Sequence, residues 1–211
     1  QSDDCKLAIL KVDGEVLEPG DDGIYRVDKK FLTESVNVDA IANSSYASVS
    51  INGTTPTLEE QVSNVTTPDS ENIIKIRVIA EDGTTKEYTL IVKRLPNNTK
   101  ATITISYMEN GAKKEQTVTV DENNKATVRI GNRESVDVKA TAEDVLAQVS
   151  VNRGLSEVKE STKTVPTTEE STNVPIQIIA QDGTVGNYEI TLVRASSNND
   201  LKSLDATGID S

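Results

Sequence analysis

Three carboxylates, Glu81, Asp82 and Glu87, lie close together in the stretch IAEDGTTKEYTLIVKR at 79–94. Side chains of this type at this spacing could ligate a hard cation or shuttle a proton. The chain also reads IAQDGTVGNYEITLVR at 179–194, one hundred residues further on. There Gln181 replaces Glu81 and Asn187 replaces Glu87, while Asp-Gly-Thr, the tyrosine and the final arginine stay. The groups that chemistry would need vary, and the groups that a turn and a core would need persist. Asp82-Gly83 and Asp182-Gly183 are therefore expected to form tight hairpin turns at positive φ. Tyr88, Leu90 and Val92, like Tyr188, Ile190 and Leu192, alternate and should share one buried face.

Other acidic candidates for calcium are Asp3 with Asp4, Asp21 with Asp22 in EPGDDG, and Asp121 with Glu122. None has the alternating spacing with which a short loop supplies about six to eight oxygens. With 34 acidic residues, carboxylate pairs suited to glycoside hydrolysis arise by chance on any surface. Tyr25, Tyr46 and Tyr107 are the candidate sugar-stacking residues, although two of the three are expected to pack instead. The chain has no histidine and no tryptophan. That removes the commonest general base, the Ser-His-Asp arrangement and imidazole metal ligation. One cysteine, Cys5, allows no intrachain disulfide. We expect no catalytic residue, no cofactor and no metal.

Twenty-two basic residues against 34 acidic ones leave a net charge of −12. A surface that releases counterions from phosphate needs the opposite balance, so no nucleic-acid partner is expected, nor docking on an anionic membrane. No run of about 18 apolar residues exists to span a bilayer. The opening QSDDCKLAIL lacks the basic and apolar regions of a signal peptide, and Cys5 lacks the apolar lead of a lipidation site. The chain reads as a monomeric segment of something longer.

The hundred-residue register needs no gap from 35 to 94: SVNVDAIA (35–42) meets SVDVKATA (135–142), and ASVSIN (47–52) meets AQVSVN (147–152). A period of about 100 residues suits a whole β-sandwich rather than a solenoid. The expected domains are 1–95 and 96–195, with 196–211 the start of a truncated third repeat or a tail. LKSLDATG at 201–208 matches LAILKVDG at 7–14. A lone strand cannot fold by itself, so 198–211 is expected to be loosely ordered or to pair with a neighbour's sheet edge. The joins RLPNNTK and RASSNND are loop-like. Abundant Val, Ile and Thr in period-two runs predict strands, about seven per domain. In the first domain these cover roughly 7–12, 24–28, 35–42, 47–52, 60–65, 73–80 and 86–94. The second is expected to open differently, with ATITISY (101–107), a turn at Glu109-Asn110-Gly111 and then EQTVTVD (115–121). The stretch ATAEDVLAQV (140–149) has helical spacing, but its counterpart AIANSSYASV argues for a turn between strands. Two polar loops, 52–72 and 152–173, each holding one short strand, could face a ligand.

The motifs V-x-V-x-A, V-x-I-N-G and I-x-I-x-V-x-A-x-D-G-x-x-x-x-Y-x-I-x-V-x-R carry a resemblance. Each unit resembles the bacterial cadherin-like β-sandwich domain, which recurs in tandem in surface proteins of Gram-positive bacteria. The first unit matches from Leu7 through Arg94, with VSING at 49–53, and the second from Val136 through Arg194, with Arg153 in place of Gly53. The resemblance implies two tandem antiparallel Ig/cadherin-like sandwiches acting without catalysis as a spacer, stalk or adhesion module at the bacterial cell surface. The alternatives are a module binding glycan or host protein, and the sensory ectodomain of a membrane-anchored regulator. The identity of any ligand, calcium binding and a Lys–Asn cross-link stay open at this level.

Overall fold

The computed structural model describes residues 1–195; the third-repeat expectation for 196–211 lies outside them. All regular structure is β, in two compact units.

In the first domain one sheet runs β2 (Glu15–Leu17), β1 (Leu7–Val12), β4 (Ser35–Ala42), β7 (Glu60–Thr66). The other runs β3 (Tyr25–Lys30), β9 (Thr85–Leu95), β8 (Glu71–Ile79), β5 (Ser48–Ile51), β6 (Thr57–Leu58). The second domain repeats the plan. One sheet is β11 (Ala112–Val118), β10 (Ala101–Glu109), β13 (Ser135–Ala142), β16 (Glu160–Pro166). Its partner is β12 (Lys125–Gly131), β18 (Val185–Arg194), β17 (Ser171–Ile179), β14 (Gln148–Val151), β15 (Glu157–Val158).

Alternation decides which face goes inside. In β8, Asn72, Ile74, Ile76 and Val78 are buried, while Glu71, Ile73, Lys75 and Arg77 are exposed. In β4, Val36, Val38 and Ala40 point inward and Asn37 outward. These inner faces form one Val-, Ile- and Ala-rich core per domain. Without tryptophan, small β-branched side chains fill the space between the sheets, which suits their stiff rotamers.

Each sandwich has nine strands rather than about seven; in the first domain β2 and the two-residue β6 add to the expected set. Each also contains one parallel pair: β3 lies along β9 with Tyr25 opposite Leu90, and β12 along β18 with Lys125 opposite Glu189. After the β1–β2 hairpin the chain crosses from one sheet to the other, and such a crossover permits parallel pairing where a tight turn cannot. Pro19, which has no N–H to offer a ladder, stands at that crossing in an isolated bridge with Tyr25.

The openings of the two domains differ in length, not in kind. Asp13-Gly14 (φ 50° and 86°) turns β1 into β2, as Asn110-Gly111 (φ 51° and 78°) turns β10 into β11. Both positive angles are what a two-residue hairpin requires. The Asp82-Gly83 turn corrects the expectation: only Gly83 has a positive φ, 90°. Its N–H donates to the Ala80 carbonyl at 3.0 Å, Ala80 N–H donates to the Thr84 carbonyl at 2.8 Å, and Asp82 Oδ1 accepts Thr84 N–H at 2.8 Å. Asp82 is thus a turn-stabilising acceptor.

The loops 52–72 and 152–173 are mostly strand. β7 and β16 pair along β4 and β13 as sheet edges. β7 stands where a strand was expected at 60–65, and β16 is its counterpart in the second loop. The stretch 140–149 forms the end of β13, a turn closed by Ala147 N–H to the Asp144 carbonyl at 3.1 Å, and the start of β14.

The turn after β14 lacks the glycine of its counterpart. Asn52-Gly53 sits at φ 47° and 76°, but its counterpart Asn152-Arg153 holds an arginine at φ 57°. A side chain in the left-handed region costs roughly 1–2 kcal/mol. Arg153→Gly is therefore expected to stabilise the second domain by about 1 kcal/mol and to raise its melting temperature by a few degrees in calorimetry. An unchanged or lower value would show that the arginine makes compensating contacts.

Candidate functional site

Several of the acidic candidates carry structural duties. Asp22 grips the Arg26 guanidinium at 2.7 and 3.0 Å and accepts Ile24 N–H at 3.1 Å. The guanidinium first, and the backbone donor second, pull its carboxyl down from 3.8 to about 2. A pKa depressed in the folded state adds stability above the ordinary carboxylate pKa, and that stability is lost as pH falls through about 2. An NMR titration is expected to place the Asp22 midpoint near 2, and Arg26→Ala is expected to return it toward the ordinary range. A wild-type midpoint at the ordinary value would contradict the pairing.

Asp4 accepts Asn43 Nδ2 at 2.6 Å and Lys6 N–H at 3.1 Å, and its carboxyl is held below the usual range, chiefly by Asn43. Glu81 accepts the Ser2 N–H at 3.0 Å. Asp121 caps the turn into β12 through the N–H groups of Asn123 and Lys125. Among the described residues no three Cys, Asp or Glu side chains stand where they could hold a metal ion. Asp3, Asp21 and Glu122 join no such group.

Tyr25 is buried at the start of β3, Tyr46 is exposed in the turn before β5, and Tyr107 lies in the second domain with Arg133 stacked 3.6 Å from its ring centre. Within the first domain, Tyr25 is buried and Tyr46 exposed, so the two form no common sugar platform. Lys11 Nζ meets Asp39 Oδ2 at 3.2 Å, with the two side chains 32% and 20% exposed. An amide cross-link needs a dry pocket that neutralises the amine, and this pair stays partly wet. Glu60 is pushed up in pKa by its hydrogen bond with Asp39.

What recurs with greatest fidelity is scaffolding. Tyr88 Oη accepts Leu7 N–H at 3.0 Å and donates to the Cys5 carbonyl at 3.3 Å. Tyr188 Oη does the same to Ala101 N–H at 3.2 Å and the Thr99 carbonyl at 3.0 Å. The buried Thr67 hydroxyl donates to the Thr33 carbonyl at 2.8 Å, and Thr167 to the Arg133 carbonyl at 2.6 Å. The arginine at the end of the motif recurs but its partner does not: Arg94 Nη1 donates to the Thr33 carbonyl, and Arg194 Nη1 to that of Thr167, the counterpart of Thr67.

The outer face of the five-stranded sheet differs most between the domains. In the first, Lys75 on β8 reaches Glu87 Oε1 at 2.9 Å and Thr89 Oγ1 at 3.1 Å on β9, and Arg77 stands beside them over a groove of about 390 Å³. In the second, Pro175, Gln177 and Asn187 occupy the positions of Lys75, Arg77 and Glu87. They border a groove of about 350 Å³ with Asn123, Lys125, Ser150 and Arg153. Gln177 Nε2 donates to Asn187 Oδ1 at 3.4 Å, and Lys125 stands 3.8 Å from Glu189. Arg153 has no ion pair among the described residues. The sequence reading passed over this groove. The available signal was the run of non-matching positions between two otherwise matching copies, each far from the next along the chain.

Residues 19–95 match the family model of the Cadherin-like beta sandwich domain, and the first domain has that fold. The solved fibronectin(III)-like modules of CbhA from Clostridium thermocellum are similar over 88% of this chain and 94% of theirs, at 14% identity and a TM-score of 0.36. SGBP-B of the Bacteroides ovatus mixed-linkage glucan utilization locus, solved with a mixed-linkage heptasaccharide, is similar over 89% of this chain and 70% of its own, at 10% identity and a TM-score of 0.26. The human Desmocollin-1 ectodomain is similar over 82% of this chain and 39% of its own, at 12% identity and a TM-score of 0.25. With scores this low, the sandwich assignment rests on the sheets themselves. No curated protein sequence matches the chain. Among the described residues no helix is long and apolar enough to cross a membrane.

Proposed function

We propose that this chain is a non-catalytic structural module of an extracellular or cell-surface bacterial protein, working as a spacer or stalk that presents other parts or makes adhesive contacts. One observation carries the reading: the contacts kept between the two domains are those that hold a sandwich together. The tyrosine clamps, the buried threonine hydroxyls, the glycine turns and the core recur, while the carboxylates of the opening stretch do not. Selection for a reaction would keep reactive groups; selection for a rigid unit of given length keeps packing and turns. The match of residues 19–95 to a cadherin-like domain supports the same reading. The acidic surface, with a net charge of −12, suits a soluble, self-repelling segment.

The test is replacement within the parent protein. Exchanging these domains for an unrelated pair of sandwiches of equal length is expected to preserve surface display and cell attachment, and deleting them is expected to bury a distal epitope. Failure of the exchange despite normal display would overturn the spacer role. Turnover of any polysaccharide that survives repurification would overturn the non-catalytic one.

A further inference from the structure

The groove on the outer face of β12, β18, β17 and β14 departs from its counterpart in the first domain twice in one place. In the first domain the turn after β5 is held by Gly53, at a φ of 76°, and by Lys75 N–H donating to Asn52 Oδ1 at 2.9 Å. The second domain has Arg153 where the glycine stood and Pro175, which has no N–H, where the lysine stood. Proline is tolerated there because β14 ends at Val151, paired with Ile176, so that no strand acceptor waits for an N–H at residue 175, while the Pro175 carbonyl still accepts Asn152 N–H at 2.8 Å. The arginine does not help the fold, and a strained residue of this kind is retained where its side chain has work to do.

The two changes also alter the chemistry of the surface. The Lys75–Glu87 ion pair has no counterpart at those two positions, where the neutral amides Gln177 and Asn187 stand, with Ser150, Asn123 and the Lys125–Glu189 pair also lining the groove. Gln177 lends its NH₂ to Asn187, which leaves the Gln177 carbonyl and the Asn187 NH₂ as an acceptor and a donor side by side. Arg153 supplies a guanidinium without an ion-pair partner, in a chain of net charge −12. We propose that this groove binds a carboxylate-bearing saccharide, the Arg153 guanidinium taking the carboxylate and the Gln177–Asn187 amides the adjacent hydroxyls.

A fork of guanidinium N–H groups matches a carboxylate, and paired amides match vicinal hydroxyls, which donate and accept together. A peptide fits less well. The floor is the middle of a sheet whose backbone groups are already paired from β14 through β17 to β18, so no free edge is offered to a main chain. Apart from Pro175, the outward-facing side chains that line the groove are polar or charged. This inference goes beyond the spacer reading and does not depend on it.

The test is a ¹⁵N NMR titration of the full chain with two probes, trigalacturonate and a trimannuronate, against the methyl ester of the first. Saturable shifts centred on Asn123, Ser150, Arg153, Gln177 and Asn187 are expected with the acids and weaker ones with the ester. Arg153→Gly should weaken binding at least about tenfold while the melting temperature stays or rises, which separates lost recognition from lost folding. Arg153→Lys should retain part of the affinity. Silence toward both acids, equal binding of the ester, or undiminished binding by Arg153→Gly would overturn the proposal. The same shifts with a poly-glutamate peptide would reassign the groove to peptide and overturn it as well.

Discussion

Ile176→Ala is expected to destabilise the second domain by about 2–5 kcal/mol. Ile176 is 1% exposed, on β17 between its two neighbours, with Val151 opposite on β14 and Tyr188 opposite on β18. The strands flanking it are tied by backbone hydrogen bonds, so the surroundings can move little to close the cavity left behind. Poor relaxation puts a core site toward the costly end of the range. Ile76, fully buried at the same place in the first domain, should behave alike. Ile73→Ala is the control: its side chain faces out and is 59% exposed, and the change should stay within about 0.5 kcal/mol. Urea unfolding of the three variants reads the difference. A loss below about 1 kcal/mol at Ile176 would mean that the core is loosely packed there.

Tyr188→Phe is the second large effect, expected at about 1–3 kcal/mol. The ring would keep its packing and lose only the hydroxyl. That hydroxyl accepts Ala101 N–H at 3.2 Å and donates to the Thr99 carbonyl at 3.0 Å, which ties the first strand of one sheet to the last strand of the other. Removing it leaves both backbone groups without their partner, and an unmade bond to a shielded group costs more than a made one contributes. Tyr88→Phe should follow the same course through Leu7 and Cys5, more mildly, because Tyr88 is less buried and its bond to Cys5 is longer, at 3.3 Å. Hydrogen exchange checks the mechanism: the Ala101 and Leu7 amides should lose protection before the core strands do. Uniform loss across a domain would show that the clamp is not local.

Most of the fold was legible in the chain because two periods were written on top of each other. A period of two marked the strands, and β1 and β4 run where alternation placed them, at 7–12 and 35–42. A period of one hundred marked equivalent positions. The strands that escaped, β2 and β6 among them, are two or three residues long, too short to show alternation. β7 and β16 were seen only as short strands within polar loops, because an edge strand has little apolar surface to display. The turns were recognised as turns, but their angles were not. Asp82-Gly83 and Asp13-Gly14 have the same letters and different geometry, and the geometry follows from the hairpin each one closes. The acidic candidates were legible as carboxylates and not as partners: Asp22 reads as a possible ligand until Arg26 is seen to grip it.

Local chemistry is enough to dictate strands, turns, two cores and the lack of imidazole, because each depends on residue type and on spacing of a few positions. The outer groove of the second domain is a different kind of object. Ser150, Arg153, Gln177 and Asn187 come from β14, the turn after it, β17 and β18, and only strand pairing makes them neighbours. The strain at Arg153 is likewise invisible as a letter, since arginine is ordinary almost anywhere. It becomes informative once the hairpin forces that residue to the φ of 57° that glycine occupies comfortably in the other domain.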